Sequence, residues 1–221
     1  MSRKEDGQIS MDKLFSPVRL NNVAKSSKTA NLTGNERQIK DGCADLHNAI
    51  QKWTKTNREG TEIITEIANI RISTPVILFF LRLQSEEENT EKPDNSTDIL
   101  KLESLCENLQ SCVQKLKKVV LKIGTVAAKF QGVQTLSQYK NDSEVLFQTW
   151  STLDFVSAAK ELSTMYKKEL ELKQSIYENV CHADSRDSVM FFTSAWVHQP
   201  YIEERADLLL QSMLTETGHQ S

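Results

Sequence analysis

The sequence predicts an all-α protein: a long antiparallel helical bundle or coiled-coil hairpin, a short C-terminal helical pair, and a disordered N-terminal tail. Three observations carry this expectation. Leu102, Leu105, Leu109, Cys112, Leu116, Val119, Ile123, Val126, Phe130 and Val133 follow one another at steps of three and four without a miss, which places them on one helix face. Upstream, Ile39, Cys43, Leu46, Ile50 and Trp53 repeat a four-three-four-three spacing. The 221 residues hold only 7 Gly and 4 Pro, while Leu, Lys, Glu and Ile recur throughout. That mixture suits long helices.

Residues 1–35 are rich in Ser, Asn, Lys and Thr, lack an apolar period, and carry six basic against three acidic side chains. Such a stretch is expected to be a disordered, mildly basic tail. Within it, Ser16-Pro17-Val18-Arg19 offers Ser16 to a proline-directed kinase, which needs Pro after the acceptor and favours a base two residues on. Ser-Pro is equally a turn starter. The long-helix bundle is assigned to residues 36–183. Its first helix starts near Glu36, falters at Asn57 and Gly60, resumes with Ile64 and Ile67, and runs to about Ile72, with a kink near Gly60. Thr74-Pro75 is expected to stop it, because the residue before a proline is pushed out of the helical region. Residues 74–98 then form a linker whose first part, Val76 to Leu83, is apolar and whose second, Glu86 to Ser96, is acidic. The apolar part reads as a short strand or turn on the bundle, as a partner-docking peptide, or as an aggregation-prone splice variant.

The second helix is a heptad array. With Leu102 at a, the positions Leu102, Leu109, Leu116, Ile123 and Phe130 alternate with d positions that include Leu105 and Val119. Cys106, Val113, Val120 and Ala127 make the e positions apolar too. The stripe is therefore wider than a two-stranded seam and suits three or more helices, within one chain or between chains. The g positions Lys101, Lys115, Lys122 and Lys129 read as a solvated flank of the seam or as a stripe for nucleic acid or an acidic partner. A third helix is expected from about Thr152 to His182, with Phe147-Gln148-Thr149-Trp150 stapling its start. Residues 184–221 form the C-terminal helical pair. Asp184 to Asp187 supply N-caps, Val189, Phe192 and Trp196 make a short stripe that Pro200 ends, and a last helix from about Tyr201 to Thr217 closes at Gly218.

Composition favours an adaptor over an enzyme. The formal charge of −3 does not suit a nucleic-acid binder. The polar N-terminus shows no secretory h-region, and the longest apolar run, Val76 to Leu81, is far short of the ~20 residues a bilayer span needs. The chain is expected to be soluble and intracellular, with its four Cys reduced. No phosphate loop, nucleophile elbow, zincin helix or dinucleotide fingerprint occurs in the sequence. Cys43 with His47, Cys106 with Cys112, and Cys181-His182 do not make a tight zinc spacing and read as core thiols. No catalytic residue, cofactor or metal is assigned. The C-terminus gathers Trp196, His198, Gln199, Pro200 and Tyr201, ordering residues at a place where chains usually fray. Trp and Tyr pack cores as readily as they anchor interfaces, so this cluster is either a core lock or a partner-binding site.

These last residues also resemble a known family. Trp196-Val197-His198-Gln199-Pro200-Tyr201-Ile202-Glu203, followed by Ser212-Met213-Leu214-Thr215-Glu216-Thr217-Gly218-His219, is similar to the end of the cyclin-dependent kinase 2-interacting protein family. Ala44-Asp45 with His47-Asn48 and Lys52-Trp53, Ala68 to Ser73, Leu105-Cys106-Glu107, Thr149-Trp150, and Met165-Tyr166 with Lys168-Glu169-Leu170 extend the likeness over most of residues 40–219. The tail before residue 36 and the apolar stretch 74–83 depart from it. The resemblance implies a non-enzymatic nuclear adaptor linking cell-cycle kinases at replication origins, with ties to DNA-damage checkpoint signalling. It also implies a subunit of an AAA+ ATPase assembly that remodels replication-fork proteins and late pre-60S ribosomal particles, and self-association as a homodimer.

Overall fold

A computed structural model describes residues 34–84, 95–139, 145–183 and 185–219. Among these residues the secondary structure is five helices in the order α1 (Asn35–Gln84), α2 (Asn95–Tyr139), α3 (Thr152–Val180), α4 (Arg186–His198) and α5 (Arg205–Glu216), as an all-α chain requires. Ser16 and most of the acidic linker lie outside the described residues.

The first helix corrects one expectation. It does not end at Thr74-Pro75 but continues through them to Gln84. A proline inside a helix removes one backbone hydrogen bond. The residues after it, Val76 to Leu83, hold no Gly or further Pro, so nothing local prevents the turns from resuming. At ~1.5 Å per residue the 50-residue α1 reaches about 75 Å.

The heptad pattern of α2 does what its spacing demands. Leu109, Leu116, Ile123 and Phe130 are completely buried, Leu105 and Val119 nearly so, and Leu102 packs on the same core half-buried. α1 lies antiparallel to α2, as cross-helix contacts record. Asn35 Nδ2 at the start of α1 donates to Ser137 Oγ near the end of α2 at 3.2 Å. Three of the g-position lysines meet carboxylates of α1: Lys122 with Asp45 at 2.8 Å, Lys115 with Glu59 at 3.3 Å, and Lys101 with Glu66 at 3.8 Å. These pairs are solvent-exposed and set register more than stability.

α3 turns back along α2. Asp154 closes its first turn by accepting from Ser151 N at 2.8 Å and Ser151 Oγ at 2.7 Å. Phe130 meets Phe155 edge-on, and Phe147 and Trp150, from the segment before α3, pack edge-on against the same Phe155 ring. The e positions Val113 and Ala127 are buried because α2 is covered by both α1 and α3. The broad stripe is thus filled within one chain. α4 packs on α1 and α3, and α5 on α3 and α1, so the C-terminal pair completes the core.

The last helix is shorter than its pattern suggested. Tyr201 to Glu204 form a turn, and α5 starts at Arg205. The reason is that Tyr201 N–H is given to Glu169 Oε2 at 3.1 Å and Ile202 N–H to Gln199 O at 2.9 Å, so the backbone leaves the helical path. Gly218, with φ of +68°, ends the chain's last turn in the left-handed conformation that glycine tolerates.

Candidate functional site

The C-terminal cluster is built around one fully buried residue. Ser185 caps α4 by accepting from Ser188 N at 3.1 Å, and the short stripe of α4 then carries Trp196 into the space between α1 and α3. Its indole Nε1 donates to Asn57 O at 3.3 Å. The ring lies against Gly60: a Cβ built there would fall on Trp196 Cζ2 and 2.9 Å from Cε2. Gly60 therefore serves close packing, and α1 runs on through it as one helix. Gly42 has the same use, since a Cβ there would meet the Phe130 ring, with Cζ at 2.7 Å.

On its other side Trp196 faces a buried ion pair. Lys173 Nζ sits 4.3 Å from the indole centroid and donates to Trp196 O at 2.8 Å. It is also 3.3 Å from Glu169 Oε1, with both side chains inaccessible to solvent. Burial lowers the Lys173 pKa to about 8, even though the Glu169 carboxylate pulls it the other way. Glu169 uses its second oxygen on Tyr201 N. The sequence signal for this pair is two opposite charges one helical turn apart in α3.

Gln199 makes the corner. It adopts φ of 47° at the end of α4, a region costly for any residue but glycine, and its Oε1 accepts from Trp53 Nε1 at 2.7 Å. Trp53 in turn packs edge-on against Tyr166 with ring centroids 5.1 Å apart. Burial raises the Tyr166 hydroxyl far above its usual pKa, with Asp207 adding to the effect.

The five residues singled out in the sequence therefore divide. Trp196 points inward and is no part of the surface, and Gln199 is half-buried with its amide turned to Trp53. His198, Pro200 and Tyr201 are exposed, Tyr201 by 46 %. With Phe191, which is 63 % exposed, they border an apolar groove of about 430 Å³ floored by Leu172 and Ala195. Pro200 and Tyr201 also form one wall of a more polar cleft of about 320 Å³ that reaches Glu161 and Lys168. Phe191 was the residue the pattern missed. Its neighbour Phe192 fitted the buried stripe, and nothing in the spacing distinguished an exposed ring from an unused one.

The far end of the C-terminal segment is tied down too. Glu216 accepts from the backbone N–H groups of Gln148, Thr149 and Trp150 at 3.2, 2.9 and 3.3 Å, and from the Thr149 hydroxyl. Partial burial raises its pKa, but these bonds outweigh that and hold the carboxyl below its ordinary value.

Two of the four cysteines depart from expectation. Cys106 and Cys181, 75 residues apart, are joined as a disulfide between α2 and the end of α3, with Cα atoms 7.0 Å apart. Spacing arithmetic could not find this pair, because the antiparallel packing of α2 on α3 brings them together. Cys43 and Cys112 are free and buried. Burial pushes the Cys43 thiol up to about 12 and raises that of Cys112, which leaves both as protonated core groups rather than nucleophiles or ligands. No group of three or more His, Cys, Asp or Glu with the makings of a metal site occurs among the described residues. No described helix is long and apolar enough to cross a membrane.

No family model matches the chain. Curated proteins do. The cyclin-dependent kinase 2-interacting protein of Bos taurus is 38% identical over 198 residues, which cover 86% of this chain and 92% of the relative. Its counterparts in Homo sapiens and Xenopus laevis are 34% identical over 199 residues and 33% over 193, with the same coverage of both chains. The alignments span nearly the whole length of each relative.

Proposed function

This chain belongs to the cyclin-dependent kinase 2-interacting protein family, and we propose that it is a non-enzymatic adaptor that docks protein partners through the exposed C-terminal groove. The observation that carries this reading is the division of the C-terminal cluster. Trp196, Gln199 and the Lys173–Glu169 pair fix the corner from inside, while Phe191, His198, Pro200 and Tyr201 are displayed outside. Large apolar and aromatic side chains held on a rigid corner are what a partner's hot spot needs, because little ordering entropy is lost on binding.

The relatives are named for interaction with a cyclin-dependent kinase, and such a kinase is the first partner proposed here. Beyond it, the proposal takes from the family resemblance a nuclear role in DNA replication, linking cell-cycle kinases at origins and DNA-damage checkpoint signalling. The resemblance also supplies membership of an AAA+ ATPase complex acting on replisome proteins and late pre-60S particles. Homodimerisation belongs to the same reading, although the broad seam of α2 does not call for it. Ser16 is the proposed phosphorylation site.

The test is affinity purification of the full chain from nuclear extract, comparing wild type with Phe191→Asp/Tyr201→Asp and with Trp196→Ala. The surface variant is expected to lose the kinase and the ATPase subunits while melting like wild type. Trp196→Ala is expected to lower the melting temperature by several degrees, since truncating a buried Trp costs ~3–5 kcal/mol. Retention of both partners by the surface variant would remove the groove from the proposal. Recovery of membrane tethers instead of nuclear partners would replace the adaptor reading with that of a coiled-coil tether.

A further inference from the structure

A second groove, of about 470 Å³, lies between α1 and α2 and is bordered by Lys52 and Lys55 from one helix and Lys115, Lys118 and Lys122 from the other. Its floor is made by the buried residues Ala49, Val119 and Thr56 and is mainly apolar. Lys115 and Lys122 are held by Glu59 and Asp45. Lys52, Lys55 and Lys118 are exposed and make no ion pair among the described residues. Five lysines thus border one hollow, with Glu59 the one carboxylate among its lining residues, in a chain whose formal net charge is −3. A solvated helix flank would mix the two signs along its length. A cleft in which one sign predominates, here five lysines to one lining carboxylate, instead focuses its field and attracts the opposite charge.

We propose that this groove binds an acidic segment of a partner protein that carries an apolar anchor side chain. The three unpaired lysines would face its carboxylates, and the floor of Ala49 and Val119 would take the anchor. The floor argues against nucleic acid. None of the residues lining the groove is an aromatic on which a base could stack. This site is separate from the groove at Tyr201 and shares no residue with it.

The experiment is fluorescence anisotropy at low salt, using the full chain and a labelled peptide of repeating Glu-Glu-Leu-Glu. The expected result is saturable binding that weakens about tenfold or more in Lys52→Glu/Lys55→Glu/Lys118→Glu at unchanged melting temperature, and that survives Phe191→Asp/Tyr201→Asp. A peptide with Ser in place of Leu is expected to bind less tightly, and one with Gln in place of Glu not at all. Should the charge-reversed variant melt lower, Lys52→Gln/Lys55→Gln/Lys118→Gln takes its place under the same criteria. Equal binding by wild type and the lysine variant would overturn the proposal. So would equal binding of the Leu and Ser peptides, or an oligothymidine of matched charge that binds as tightly as the peptide.

Discussion

Replacing Gly60 by Ala sets two ordinary effects against each other, and the structure says which wins. In an exposed helix interior Ala is better than Gly by ~1 kcal/mol. At Gly60 the added methyl would land on the Trp196 ring, with Cε2 at 2.9 Å and Nε1 at 3.1 Å. The ring has little freedom to step aside. Its Nε1 is bonded to Asn57 O, its face carries Lys173, and its own carbonyl holds that lysine. Overpacking a closed core costs ~1–3 kcal/mol, so the net effect is a loss of up to about 2 kcal/mol once the helix gain is subtracted. For a chain of this size each kcal/mol moves the melting temperature by ~2–4 °C. The comparison is Gly132→Ala, where a Cβ meets nothing within 4 Å and the same change should raise stability by ~0.5–1 kcal/mol. Thermal melts followed by circular dichroism should therefore move in opposite directions for the two variants. In a Trp196→Phe background the Gly60→Ala penalty should shrink, because the smaller ring leaves room. If Gly60→Ala melts at or above wild type, the claim that this glycine exists to seat the indole is refuted.

Lys173→Met should cost ~3–5 kcal/mol by leaving the Glu169 charge buried and alone, and Glu169→Gln/Lys173→Met should recover most of it, since Gln still accepts from Tyr201 N; chemical denaturation of both variants checks this. Because the folded pKa of Lys173 lies near 8, below its ordinary 10.5, the unfolded chain binds more protons above pH 8 and stability should rise with pH there. Cys43, shifted upward from 9.0, opposes this at higher pH, so the rise should be read between pH 8 and 9 and should vanish in Lys173→Met. Glu216 acts with the same sign in the acid range: its folded pKa is depressed, so its contribution is full above the ordinary carboxylate pKa and is lost as pH falls through the folded value. Glu216→Gln should cost about 1 kcal/mol at neutral pH, discounted for solvent exposure, and should flatten the acid limb of a stability profile.

The helices were legible in the sequence because periodicity reports which face of a segment is buried. Leu109, Leu116, Ile123 and Phe130 needed no partner to be recognised as core. Periodicity says nothing of what lies opposite, and each miss has that origin. The disulfide of Cys106 and Cys181, the seat of Trp196 on Gly60, and the ion pair of Lys173 beneath the indole all join segments far apart or hidden from the pattern. Thr74-Pro75 misled for a different reason. The rule about the residue before proline is a local preference, and it does not stop a helix whose next residues, Val76 to Leu83, hold no Gly or further Pro. At the C-terminus the composition correctly marked a place where ordering residues gather, yet only the packed arrangement sorts Trp196 from Tyr201.

That sorting gives Gln199 a testable place in the argument. A side chain in the left-handed region costs ~1–2 kcal/mol, and Gln199 offsets this by accepting from Trp53 Nε1 at 2.7 Å. Gln199→Ala keeps the backbone strain and leaves the indole N–H without its acceptor, a loss of ~1–3 kcal/mol. Gln199→Gly loses the same bond but relieves the strain, so it should be about 1 kcal/mol more stable than the Ala variant. If Ala and Gly melt alike, the corner is not strained in solution. If both melt like wild type, the Trp53 bond contributes nothing. Partner affinity supplies the second reading. Tyr201 and Pro200 stand directly on this corner, so a Gly there frees the exposed side chains from the frame that presents them. Gly should weaken binding more than its small effect on melting would suggest, because the ordering cost then falls on the complex.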